Sequence, residues 1–424
     1  MNKYNFPLSI VLAFLIFALH TTTFAIETES QHPYVKTVQL YTAGQEGIVS
    51  EHGKEVLHTP LLYLNSTYAL FLEFDWLGEE LLDQFYFKVF HCTKDWEKTN
   101  VLETAYLEEV NDFFSNEVTI SNTIGVQYVH CKAKLPTPTL SGNYLLYVYS
   151  DSEEQVLLTR KFAIVESRIN ITIDQNISNI SSKKQGFDFT VRFGNSFPFD
   201  FQDFTTVYAR KNFCWHTMKK IENPTMVNLN AKTISYTSNF SNISFEAGNE
   251  YISFDAGSDR SLGINTKTIQ RNRDTLFYHL YPYKPFPLLY KKYFDINGQY
   301  LIHNYFLEET NVSSEYVKAV FTLDYSLPPK GKAYVFGAFN NWALTEENRL
   351  KYQVEQRNYQ AVIWLKQGYY DLNYVWQDQT GSLKETYFSG SFNQTENQYE
   401  LLVYYYDQNL QIDRILGYTK FQLP

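Results

Sequence analysis

The sequence predicts an all-β protein: tandem β-sandwiches of immunoglobulin-like, E-set type, set in an elongated row. Three observations point there. Aromatic residues make up 17% of the chain, with 35 Tyr and 33 Phe, and such side chains pack well on a pleated surface. Apolar residues alternate or run together over strand-length stretches separated by turn residues. Helical periodicity is nearly missing; "NVLETAYLEEV" (100–110) is the best helical candidate and is short. At 424 residues the chain exceeds one ordinary domain.

The first 25 residues read as a secretory leader. Lys3 supplies the positive start, "PLSIVLAFLIFAL" (7–19) the apolar run, and "TTTFA" the small residues before cleavage between Ala25 and Ile26. The run is too short to span a bilayer comfortably, and no later run approaches that length. The chain carries a net charge of −10, and loss of Lys3 leaves the mature form one unit more negative. An acidic chain without a basic block is a poor candidate for nucleic acid or an anionic surface.

An N-terminal sandwich is expected over 26–166. Its strands read as "TYALFLEFD" (67–75), "FYFKVFHC" (85–92), "VQYVHCKAKL" (126–135), "GNYLLYVYS" (142–150) and "RKFAIVE" (160–166). A middle sandwich is expected over 167–312, with "FDFTVRF" (187–193), "FTTVYARKN" (204–212) and "NEYISFDAGS" (249–258). Within it, "YPYKPFPLLYKKYFDINGQYLIHNYF" (281–306) reads as extended, ending in a hairpin at Asn297–Gly298. A C-terminal sandwich is expected over 313–424, from "EYVKAVFTLDY" (315–325) through "YQAVIWLKQGYYDLNYVW" (359–376) to "NQYELLVYYYD" (397–407).

No catalytic constellation stands out. The chain lacks GxSxG, HExxH, P-loop and GxGxxG patterns. Adjacent carboxylates such as Glu79–Glu80 point apart on a strand and suit solvated turns better than acid–base work. The three cysteines are Cys92, Cys131 and Cys214. Two His-Cys pairs (91–92 and 130–131) hint at zinc, but neighbouring strand residues face opposite ways, so each pair aims one ligand at a shared site. Buried free thiols are the default, with a Cys92–Cys131 disulfide as the alternative. No metal or cofactor is expected.

"VFGAFNNW" (335–342) resembles the turn of glucan-binding modules: a strand, a Gly, then Phe-Asn-x-Trp. The Trp342 face suits a sugar ring, and Phe339 and Trp342 are candidate ligand or partner contacts. Packing of Trp342 as core at the end of the sandwich is the preferred reading, and the sugar platform stays open.

A longer set of motifs runs in order along the chain. It includes "LEFDWL" (72–77, with Asp75), "FYFKVFHCTKDW" (85–96, with His91, Cys92 and Trp96) and "LSGNYLLYVYSD" (140–151, with Gly142, Asn143 and Tyr144). It continues through "FDINGQY" (294–300, with Asp295 and Gly298), "VFGAFNNW" (with Gly337, Phe339 and Trp342), "LKQGYYDLNYVW" (365–376, with Gly368) and "DRILGY" (413–418, with Asp413 and Gly417). This series resembles the plug protein family of the type IX secretion system of Bacteroidota. "YVHC" (128–131) and "EVND" (109–112) depart from its pattern. The resemblance implies a non-enzymatic periplasmic protein beneath the outer membrane. It would bind and occlude the periplasmic opening of a large outer-membrane β-barrel translocon, gating the pore, with no small-molecule substrate. The competing expectation is a periplasmic or surface carbohydrate-binding protein using "FNNW".

Overall fold

The computed structural model describes residues 29–43, 48–49, 55–56, 60–153, 155–174, 181–327 and 330–424. The expected cleavage point at Ala25 and Ile26 lies outside them. The architecture is nearly all-β, with several sheets. The best helical candidate, 100–110, holds only a 3-10 turn, Glu103–Ala105. Among the described residues, no helix is long and apolar enough to cross a membrane.

Two sheets make the first sandwich. A four-stranded sheet runs in the order Val35–Ala43, Ala69–Trp76, Val129–Lys134, Glu117–Ile120. A five-stranded sheet runs in the order Leu61–Tyr63, Val156–Val165, Gly142–Tyr149, Phe85–Cys92, Phe113–Ser115. Period-two alternation decides what each strand offers. On Ala69–Trp76, Leu70, Leu72 and Phe74 enter the core between the sheets. Glu73 and Asp75 must then face outward, yet both are buried. Something covers that outer face.

The same rule excludes the disulfide alternative and agrees with the free thiols taken as the default. All three cysteines are free and buried. Cys131 lies in the core with Val129 and Ala133. Cys92 follows Phe85, Phe87 and Val89 at the opposite parity, which puts it on the outer face of its sheet. A sheet layer separates the two thiols.

The remaining strands do not group as 167–312 and 313–424; that cut crosses two sheets. The C-terminal hairpin Asn397–Asp407 and Ile412–Leu423 pairs with Thr205–Lys211, not with the strands just before it. Its residues Tyr399, Leu401 and Val403 share a core with Phe187, Phe189 and Val207. Conversely, Ile252–Asp255 and Tyr300–Ile302 pair with Gly368–Asp378. They belong to a ten-stranded sheet that folds over one core, so that Phe254 at one end meets Phe321 and Tyr278 near the other. The chain therefore leaves the middle unit after Phe245–Glu246, builds the third unit, and returns at Asn397. The hairpin expected within 281–306 does not form either. The turn exists, with φ of 53° at Asn297 and 77° at Gly298, but Tyr300–Ile302 pairs with Gly368–Tyr370 instead of the preceding segment.

An elongated row leaves the first and third units apart. Here each unit packs against both others, along three seams.

Candidate functional site: the seams between the units

The first–third seam is polar and centred on Asp75, which is fully buried. Its Oδ2 accepts from the Tyr316 hydroxyl at 2.7 Å and the Lys366 ammonium at 2.7 Å. Its Oδ1 meets His130 Nδ1 at 2.8 Å. Lys366 also donates to the Asn311 carbonyl and lies 4.2 Å from the Tyr128 ring centre. Beside it, Glu73 accepts from Tyr41 at 2.7 Å and from Asn311 Nδ2 at 2.9 Å. Glu315 takes the backbone N–H groups of Ile124 and Gly125 at 2.7 and 3.1 Å. Burial lowers the Lys366 pKa, opposed by the Asp75 charge. A buried charge of this kind is tolerable only with partners on every side, which these contacts supply.

The first–middle seam has an apolar floor. Leu61, Ala163 and Val165 from the outer face of the first sandwich pack with Leu402, Tyr404 and Ile415. Around it lie most of the motif residues from the first unit. Asn143 Oδ1 accepts from the Tyr404 hydroxyl at 2.8 Å, and its Nδ2 donates to the Thr93 carbonyl at 2.9 Å. Asp413 accepts from the Lys94 N–H at 3.0 Å. Trp96 meets Trp215 edge-to-face at 4.7 Å. Gly417 presses on Ile169, where a Cβ would come within 2.5 Å of Cγ1. Gly142 has φ +148°, and a Cβ there would lie 2.5 Å from His91 Nε2. Only glycine suits both conditions. Tyr144 lies inward, stacked on Phe162 at 5.3 Å, with its hydroxyl on the Leu140 carbonyl at 2.9 Å. Burial pushes the Cys92 thiol up to about 12, which leaves it protonated and unreactive at neutral pH.

Beneath this floor, Arg210 and Glu400 face each other across paired strands, both fully buried. Arg210 Nε reaches Glu400 Oε2 at 2.5 Å and its Nη2 reaches Oε1 at 2.8 Å. The Tyr418 hydroxyl adds a bond to Oε1 at 2.6 Å, and the Trp215 ring covers the guanidinium at 3.8 Å.

His91 gives this seam a pH dependence. Burial lowers its pKa to about 4 from 6.5. The folded state therefore holds it neutral while the unfolded chain protonates below 6.5. Stability is unaffected above pH 6.5, falls between pH 6.5 and 4, and loses no more from this group below 4. The full loss is about 3 kcal/mol. Urea midpoints across pH 4–7 will show this slope, and His91→Gln will flatten it; an unchanged slope in the variant would place its origin elsewhere.

The middle–third seam contains the "FNNW" turn. Trp342 is partly buried. Its ring meets Phe336 at 5.2 Å, His216 of the middle unit at 5.8 Å and Tyr251 at 5.9 Å. Gly298, at φ +77°, brings its backbone so close that a Cβ would fall 2.2 Å from Trp342 Cη2. Phe339 packs edge-on to Tyr370 at 5.8 Å. Gly337 and Gly368 let the backbones of Asp371 and Leu301 approach closely. His216 pairs with Glu385 at 3.0 Å. Under the turn, Asp371 Oδ2 accepts the Ile296 N–H at 2.5 Å, and its Oδ1 accepts from Ser253 at 2.9 Å. Asp295 accepts the N–H groups of Tyr251 and Asn297 at 2.5 and 3.0 Å. Burial raises both carboxyls, and the Asp371 charge raises Asp295 further. The pair thus holds a proton well above the usual carboxylate range.

Every motif residue named from the sequence is thus placed in a seam, a tight turn or a core. Residues 35–166 match the family model described as type 9 secretion system plug protein 1st domain. That stretch of the chain is similar to a plug-protein first domain. Asp75, His91, Cys92, Trp96, Gly142, Asn143 and Tyr144 all lie within it. Across the fold, the chain is similar to a hypothetical protein from Parabacteroides merdae ATCC 43184, with TM-score 0.82 and 24% identity over 92% of this chain and 98% of the other. That likeness is one of fold. The ectodomain of the teleost fish polymeric Ig receptor reaches TM-score 0.13 and 9% identity over 45% of this chain and 84% of its own, too little to argue from. No curated protein matches.

Beyond residues 35–166, the partners of Asp75 (Tyr316 and Lys366), the Arg210–Glu400 pair and Asp371 escaped the sequence reading. A signal was present for one of them. Glu400 sits inside "YELLVYYY", where a lone charge among apolar strand residues demands a buried partner.

Proposed function

We propose that this protein is the plug subunit of the type IX secretion system, bound to the periplasmic opening of the outer-membrane translocon and closing it when no cargo passes. The match of residues 35–166 to the plug first domain carries this reading. The interlocked seams support it. A wide water-filled pore leaks unless its cover is stiff, and three units that each grip both others cannot splay apart one at a time. Reversible closure needs a polar contact of moderate size, not an obligate apolar one. The role requires no catalytic group. The chain then works in the periplasm after cleavage of its leader, on the inner side of the outer membrane. Phe339 and Trp342 serve in this reading as seam residues, because their rings already have protein neighbours, and not as a sugar platform.

A pull-down tests it. An affinity tag after the exposed Pro424, gentle solubilisation of the outer membrane in the native host and purification by the tag should recover a very large β-barrel in near-equal amount. Recovery of the protein alone, while other outer-membrane complexes survive the same extraction, would sink the proposal.

A further inference from the structure

The segment 281–294, "YPYKPFPLLYKKYF", has no role in any seam described above. It contains three prolines and three lysines and no acid, in a chain of net charge −10. Both of its flanks are tied down. The Tyr283 N–H donates to the Thr322 carbonyl at 2.9 Å, and its ring stacks on Tyr374 at 5.0 Å. The Phe286 N–H donates to the Phe388 carbonyl at 2.7 Å. On the far side Tyr290 donates to Glu250, and Lys292 pairs with Glu396. Between these anchors the tip projects. Leu288 is 95% exposed and Leu289 82%. Tyr281, Tyr293 and Phe294 beside them are also exposed. Two adjacent leucines held in water by a braced, proline-rich backbone are a standing cost, unlike apolar residues scattered singly over a surface.

We propose that this loop is a peripheral foot that rests on an anionic lipid bilayer. The Leu288–Leu289 tip enters the acyl boundary. Tyr281, Tyr293 and Phe294 lie at the headgroup level, where amphipathic rings are favoured. Lys284 and Lys291, whose side chains no carboxylate pairs among the described residues, meet lipid phosphates, and Lys292 lies beside them. This is the layering of an interfacial anchor: leucines deepest, aromatic rings above them, lysine heads outermost. The acid-free segment supplies the charge complementarity that the rest of the acidic chain lacks. The inference rests on the plug reading for its setting, since the mouth of a translocon is bordered by the inner leaflet of its membrane.

The test is co-sedimentation of the full mature protein with vesicles of phosphatidylethanolamine and phosphatidylglycerol, against vesicles of phosphatidylcholine alone. Binding to the anionic vesicles is expected, weakened by raised salt. The double variant Leu288→Asp/Leu289→Asp should lower it about tenfold or more, and Lys284→Gln/Lys291→Gln about tenfold or more. Unchanged thermal unfolding of the variants will show that the exposed changes leave the fold intact. Failure of the wild type to bind anionic vesicles overturns the proposal, as does equal binding by the aspartate variant. If vesicles are ignored but the aspartate variant loses the translocon in the pull-down, the tip is a protein contact and the plug reading stands without the foot. If vesicles bind but no translocon is ever recovered, the foot stands and the plug reading falls.

Discussion

Asp75→Ala is expected to lower the stability of the folded chain by about 3–5 kcal/mol. The change removes one carboxylate that three groups share as an acceptor. Lys366 keeps its buried ammonium with a carbonyl and an aromatic ring but loses its bonded counter-charge, and only the more distant Glu73 carboxylate still acts on it. The Tyr316 hydroxyl and His130 lose acceptors at 2.7 and 2.8 Å. All of them lie between the first and third units, so the loss falls on the seam more than on either core. Calorimetry should show the first unit unfolding ahead of the rest, where the native chain unfolds more cooperatively. Replacing the pair by apolar residues of similar size, Asp75→Leu with Lys366→Met, should recover much of the loss, because no charge is then left unpaired. A single Asp75→Ala variant with native stability and one sharp transition would show that the seam does not depend on this carboxylate.

Glu400→Ala is the second large effect, again about 3–5 kcal/mol. Arg210 and Glu400 are both fully buried and joined by two bonds in fork geometry. Deleting the carboxylate leaves the guanidinium against Trp215 with no acceptor at either nitrogen, and Tyr418 without its bond. Denaturant unfolding will measure the change. Arg210→Met with Glu400→Leu should come much closer to the native chain than either single change. The contrast separates the cost of an orphaned charge from the net worth of the pair, which is smaller. If the double variant is as unstable as Glu400→Ala, the pair itself stabilises the hairpin at this point.

Both sites explain why an ordered series of weak motifs runs the length of the chain. Asp75 ends a strand on its outward side because a neighbouring unit supplies Lys366 and Tyr316 there. Gly142, Asn143 and Asp413 lie where two units close on each other. Such residues serve the way the units meet.

What the sequence determined by itself is local. The strand Phe85–Cys92 is legible to the residue, and the first sandwich follows from its neighbours, because period-two alternation and turn residues act within ten positions or fewer. The family resemblance is legible for the same reason, since each motif is a short string. Strand partnership is not local. "NQYELLVYYYD" looks like one more strand of the unit before it, yet it completes a sheet begun some two hundred residues earlier at Thr205–Lys211. Nothing in an apolar strand records which edge it will join, and pairing is chosen by the packing of whole faces. The fate of Trp342 has the same cause. The string "FNNW" shows an aromatic ring at a turn, and only the folded chain decides that Phe336, Tyr251 and His216 surround that ring. His216 comes from another unit more than a hundred residues away.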